Sequence, residues 1–196
     1  MNYQQDRLAA QQWATDLLTR EDWVILDTET TGLRRAQACQ VAITDANGEA
    51  LLDNLVKPTK PIERRAIDIH HITNEMIADA PEFPELYPLI LEAIGDREVI
   101  IYNSRFDTQV INNNCRAHKL PDIFTKSRRV TCAMLWYSQY EGQWNEYHGN
   151  YRWQRLPEGD HSALGDCRAT LEVIRRMAQH EPTLRPVQSD PLPRPA

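Results

Sequence analysis

Asp27 and Glu29 stand two residues apart at the end of the run Trp23-Val24-Ile25-Leu26-Asp27-Thr28-Glu29. In a strand, side chains alternate between the two faces, so both carboxylates project to the same side. Two anions held together at the end of an apolar strand repel each other and lose hydration. A hard divalent cation such as Mg2+ or Mn2+ relieves both penalties, because carboxylate oxygens suit it as ligands. Taken alone, the pair reads as two solvated acids at a strand edge. It is followed at once by Thr30-Thr31-Gly32. The hydroxyls can orient the carboxylates, and the glycine admits a ligand close to the backbone. A third acid, Asp107, sits in Asn103-Ser104-Arg105-Phe106-Asp107, directly after Val99-Ile100-Ile101-Tyr102. A plain alternative for it is charge complementarity at a helix N-terminus. His161 and Asp166 flank the start of the last helical pattern, and carry no weight by themselves.

The elements that must hold these residues follow from periodicity. Ala10, Trp13, Ala14, Leu17 and Leu18 make one apolar stripe and predict a helix over 3–19. Trp23–Asp27 reads as a buried strand. Segments 39–44 and 50–56 read as two more, joined as a hairpin at Asn47-Gly48, where both residues tolerate positive φ. Residues 62–79 predict short helical turns, with Thr73–Met76 as a helix start. Leu86, Leu89, Ile90 and Ile94 predict a helix over 84–94 that ends at Gly95. Val99–Tyr102 is the fourth strand. Ser104 is the expected cap of a helix reaching about His118, with Phe106, Val110 and Ile111 inward. A fifth strand near 129–131 leads into a helix through Met134, Leu135 and Trp136, and 138–157 reads as irregular. The last helix spans about 162–179, with Leu164, Cys167, Leu171, Ile174 and Met177 on one face. A hairpin followed by alternating strands and helices predicts a mixed α/β sheet flanked by helices.

DTETTG at 27–32, NSRFD at 103–107 and HSALGD at 161–166 resemble, in order and in structural context, the three motifs of the DEDDh family. These are the DnaQ-like 3′→5′ exonucleases, typified by the proofreading epsilon subunit of bacterial DNA polymerase III. Residues 61–77, with IHHIT at their centre, resemble the linker region of epsilon-type members. The resemblance covers roughly 22–180. It implies an RNase H-like fold with a five-stranded mixed sheet in the order 3-2-1-4-5, strand 2 antiparallel. It also implies that Asp27, Glu29, Asp107 and Asp166 bind two Mg2+ or Mn2+ ions and that His161 is the general base, a task suited to a side chain that titrates near neutral pH. Two such ions ~4 Å apart clamp the attacking and leaving oxygens of an in-line phosphoryl displacement. Nucleoside 5′-monophosphates would leave from the 3′ end. Thr30, Thr31, Gly32 and Leu33 match the segment that holds the terminal nucleotide, and Asn103 and Phe106 flank the same pocket.

Composition bounds the partners. The 196 residues predict one domain over 21–180, with the 1–20 helix packed on it and a proline-rich flexible tail over 181–196. That tail is also the expected peptide contact for a polymerase or other protein partner. Net charge is −6, which argues against broad duplex binding and leaves room for contact at a strand's 3′ end through metal ions. No run is apolar enough for a membrane span or secretion signal, and four scattered cysteines fit a reducing cytoplasm. Arginine outnumbers lysine 18 to 4, and Arg34 and Arg35 lie just past the first motif, where guanidinium forks match phosphate. Residues 136–153 hold seven of the 15 aromatics. Trp136 and Tyr140 have core spacing, whereas Trp144, Tyr147 and Tyr151 are candidates for stacking bases of a single strand. The expected activity is exonuclease action on single-stranded or frayed DNA ends, in repair or proofreading. The alternatives are an exoribonuclease of the RNase T or oligoribonuclease type, since RNA is also a possible substrate, and an inactive binding module on the same fold.

Overall fold

The computed structural model describes residues 2–179. The chain opens with α1 (Tyr3–Leu18) and enters the sheet at β1 (Trp23–Thr30). The corner between them is tied by the Trp23 indole N–H, which donates to the carbonyls of Leu17 and Arg20 at 2.9 and 3.0 Å. β2 (Ala38–Thr44) and β3 (Ala50–Leu55) form the hairpin expected at Asn47-Gly48, with Gly48 at φ 89°. Then come α2 (Arg64–His70), α3 (Phe83–Ile94), β4 (Glu98–Ile101), α4 (Ser104–Ala117) and β5 (Val130–Cys132). The described residues end with α5 (Ala133–Glu141), a small hairpin of β6 (Trp144–Asn145) and β7 (Asn150–Tyr151), and α6 (Ala163–Ala178).

The main sheet has the order β3-β2-β1-β4-β5. β2 runs antiparallel to β1 and β3, whereas β1, β4 and β5 run parallel. The fold is therefore the RNase H-like arrangement that the motifs imply. Central β1 is buried on both faces, which is why it reads as a continuous apolar run. Val24 and Leu26 pack in one layer with Phe83, Ile90 and Ile94 of α3 and Val110 and Ile111 of α4. Trp23 and Ile25 face the other layer, made with Ala14 and Leu17 of α1, Tyr137 of α5 and Cys167, Leu171 and Ile174 of α6. The cysteines are free, and Cys39, Cys115 and Cys167 are buried like small apolar residues. α1 lies on α5 and α6, with Trp13 and Trp136 stacked at 5.2 Å.

Three local expectations are corrected. Ser104 does not cap α4: the N-cap is Asn103, in the left-handed region at φ 69°, and Ser104 is the first helical residue. Thr73–Met76 starts no helix. Its hydroxyl accepts from the Met76 N–H at 3.4 Å, but the chain continues as turns because only Ile72 and Ile77 find apolar cover there. The stretch 138–157 is not wholly irregular, since α5 continues to Glu141 and the β6–β7 hairpin follows. Of the apolar residues that predict α3, Leu86, Ile90 and Ile94 are buried and Leu89 is exposed. The tail expected over 181–196, with its role as a partner contact, lies outside the described residues. No described helix is long and apolar enough to cross a membrane.

Candidate active site

The site forms where β1, β4, α4 and α6 converge. Asp27 and Glu29 leave β1 on the face that carries Trp23 and Ile25 below them. Asp166 enters from the first turn of α6. One carboxylate oxygen from each of Asp27, Glu29 and Asp166 lies within 4.8 Å of the other two. Asp107, buried in the first turn of α4, approaches from the opposite layer and accepts a hydrogen bond from the Thr28 hydroxyl at 2.6 Å. All four acids that the motifs single out therefore meet at one end of the sheet, three as a cluster and the fourth held one residue away along β1.

Such crowding of acids in a partly dry place raises their pKa values. Burial pushes Asp27 well above the usual carboxylate range, and Asp107, Asp166 and Glu29 push it further. Burial, then Asp166, Asp107 and Asp160, raise Glu29 to about 8. Asp107 rises to about 7, again through burial, against the lowering pull of the Thr28 hydroxyl. Burial also raises Asp166, while the His161 backbone N–H and the His161 charge pull it down. Anionic forms that cost this much are stabilised by a cation with oxygen preference. Three converging carboxylates, with a fourth beside them, fit a hard divalent metal.

Short-range chemistry explains how each acid is aimed. A register shift between Glu29 and Thr30 interrupts the β1–β2 ladder. His70, buried at the end of α2, takes the Thr30 carbonyl at 3.1 Å through its Nε2–H. The proton is on Nε2 because Nδ1 accepts from the Ile72 N–H. The Glu63 N–H donates to the Thr31 carbonyl at 2.9 Å, and its carboxylate fills the space that a side chain at Gly32 would need. At α6, Ser162 caps the helix through the Gly165 N–H, Asp160 Oδ1 accepts from the Ser162 N–H and hydroxyl, and Gln40 Oε1 accepts from the Ala163 N–H. The His161 N–H donates to Asp166 Oδ1 at 3.3 Å. His161 itself is exposed, with φ 59°. A Cβ at Gly159 would lie 2.8 Å from Asp166 Oδ1, so this position must stay bare for the acid to keep its place.

Of the residues proposed to hold substrate, Thr30, Thr31 and Gly32 are buried on the β1–α2 side, while Leu33 is 82% exposed and Arg34 and Arg35 are exposed beside it. Asn103 is half-buried at the start of α4, and half-buried Phe106 packs against the α3–α4 layer. Trp144 is half-buried, with Tyr151 edge-on to its ring at 5.2 Å. Thr28, Gln40, His70 and Gly159 escape notice in the sequence. They act on the acids across strands and turns, and only IHHIT drew any attention to one of them.

Comparison with known proteins agrees with this geometry. The family model for exonucleases of the RNase T type matches residues 24–174. The exonuclease CP81 of Escherichia phage 186 is 32% identical over 185 residues, covering 87% of this chain and 92% of that protein. The DNA polymerase III epsilon subunit of Haemophilus influenzae is 37% identical over 95 residues, 43% of this chain and 37% of that subunit. Exonuclease X, solved with 5′-overhanging duplex DNA, superposes with a TM-score of 0.55 at 28% identity, covering 80% of this chain and 92% of its own.

Proposed function

Because the chain belongs to the RNase T-type family of DEDDh 3′→5′ exonucleases, we propose that it removes nucleoside 5′-monophosphates one at a time from the 3′ ends of single-stranded or frayed DNA. The observation that carries this reading is the convergence of Asp27, Glu29, Asp166 and Asp107, each with a raised pKa, at one end of the sheet. Those four acids are the residues that would hold two Mg2+ or Mn2+ ions. When bound, such ions supply charge stabilisation to the attacking and leaving oxygens of a phosphoryl transfer.

The chain's own groups do the rest. Asp27 and Glu29 ionise once a cation is present, because its charge outweighs their mutual repulsion. His161 stands outside the cluster, anchored to it through its backbone N–H, and its exposed ring takes the proton of the attacking water. The Thr30–Gly32 segment brings its backbone to the terminal sugar, and exposed Leu33 covers the last base. Phe106 and Asn103 close the other wall, and Arg34 and Arg35 meet the neighbouring phosphates. The protein partner of such an enzyme is a polymerase or another repair component. A binding-only role on this fold would not require all four acids to be kept in place.

The test is degradation of 5′-labelled DNA and RNA oligonucleotides of one sequence, with Mg2+ or Mn2+. A descending ladder on DNA that exceeds the one on RNA, lost in Asp27→Asn, supports the reading. A stronger RNA ladder overturns the DNA assignment, and no cleavage of either overturns the enzymatic one.

A further inference from the structure

The aromatics of residues 136–153 fall into groups according to what they touch. Tyr137 and Tyr140 are buried, and Trp136 is stacked on Trp13. Trp144 and Tyr151 support each other edge to face, and the Tyr151 hydroxyl donates to Asp6 Oδ2 at 2.6 Å while its ring meets Tyr3 at 6.2 Å. These contacts fasten the hairpin to α1. Trp153 is left 66% exposed, and among the described residues it forms no aromatic pair. It borders a cavity of about 350 Å3 that is also lined by Tyr151, Arg152, His148, Asn145 and Asn150. Arg152 is the one charged residue in that lining.

Its position matters as much as its chemistry. The Gln154 carbonyl accepts from the Tyr102 hydroxyl at 3.0 Å. Tyr102 directly follows β4, which pairs in parallel with β1, the strand that carries Asp27. Leu156 then packs on the core layer beneath Asp27, and Gly159 touches Asp166. Gly159 is six residue steps beyond Trp153, which limits their separation to ~20 Å. At ~3.4 Å per stacked nucleotide, that is at most roughly six nucleotides.

We infer that this cavity is a base-binding subsite, in which the Trp153 face stacks a nucleobase of single-stranded substrate several nucleotides 5′ of the scissile bond. Arg152 meets a flanking phosphate, and the asparagine and histidine side chains reach the base edges without selecting one sequence. An exposed flat indole beside a lone cation and polar neighbours favours a polynucleotide over an apolar peptide. The inference rests on the exonuclease reading and extends it from the 3′ terminus to the strand behind it.

The test places 2-aminopurine singly along single-stranded DNA whose 3′ linkages are phosphorothioates. Turnover is measured in parallel on unmodified oligonucleotides of increasing length. The wild type should quench the probe at one position behind the terminal nucleotide and within about six nucleotides of the end. Trp153→Ala should lose that quench and raise KM for the longer oligonucleotides about tenfold. Dinucleotide turnover, kcat and thermal midpoint should stay unchanged, and Trp153→Phe should keep most of the effect. Equal loss on dinucleotide and long substrate, quenching spread evenly along the strand, or unaltered binding overturns the subsite; the last of these points to a protein ligand instead. If the wild type cuts nothing, the exonuclease reading fails, while the position-specific quench still decides the subsite.

Discussion

Replacing Glu29 with glutamine should abolish activity and yet stabilise the metal-free protein at alkaline pH. Glu29 is raised to about 8 by burial and by the neighbouring acids, against ~4.3 for an unperturbed glutamate. The folded chain thus holds this proton more tightly than the unfolded chain. The stabilisation it brings is complete below about pH 4 and disappears as pH rises through about 8. At ~1.4 kcal/mol per pH unit, the full span is worth about 5 kcal/mol. Glu29 keeps part of its surface in water, so about half of that, ~2–3 kcal/mol, is the realistic figure. Glutamine has the shape of the protonated acid and carries no charge at any pH. In chelator at pH 9, Glu29→Gln should melt ~5–10 °C above wild type, from ~2–4 °C per kcal/mol for a domain of this size. At pH 5 the two should nearly coincide. Saturating Mg2+ should close most of this gap at pH 9, because wild type gains ~2.7 kcal/mol at a hundredfold excess over Kd and the variant gains far less. Differential scanning fluorimetry with and without Mg2+ gives all four curves. A variant less stable than wild type in chelator at pH 9, or equal gains from Mg2+, would refute the account of the crowded acids.

Three further outcomes follow from neighbouring contacts. His161→Ala should lower kcat by ~100-fold or more with the Mg2+ concentration dependence unchanged; loss of metal affinity instead would make His161 a ligand. Thr28→Val removes the hydroxyl that pulls the Asp107 pKa down, so the acid limb of kcat/KM against pH should move upward by ~1 pH unit, from a hydrogen bond to charge worth ~1.5–3 kcal/mol. His70→Phe keeps the buried volume but releases the Thr30 carbonyl, and should cost ~10–100-fold in kcat/KM, with His70→Gln recovering most of it; equal loss in both would reduce His70 to core packing.

Much of this was legible in the sequence because chemistry and periodicity coincide at the strand ends. Trp23–Leu26 is apolar throughout since helices cover both of its faces, and the acids begin where that cover ends. Asn47-Gly48 announced its hairpin through positive φ. Asn103 and Ser104 were harder to tell apart. Both are common caps, and the one that adopts the left-handed backbone here makes no side-chain cap bond. The supporting residues were not legible. His70 meets Thr30 across 40 residues, and Thr28 meets Asp107 across 79, so no local pattern records them. The aromatic stretch was half legible: core spacing identified Trp136 and Tyr140, but a pairing across the β6–β7 hairpin partly covers Trp144 and leaves Trp153 exposed.

The central claim is that four acids from three segments build one metal centre for phosphoryl transfer. Crystals grown with Mn2+ and a nucleoside 5′-monophosphate test it most directly by anomalous diffraction. Two peaks ~3.5–4 Å apart, both touching Asp27 and together reached by Glu29, Asp107 and Asp166, are the predicted result. No peak among these carboxylates, or one held by the His161 ring, would contradict it.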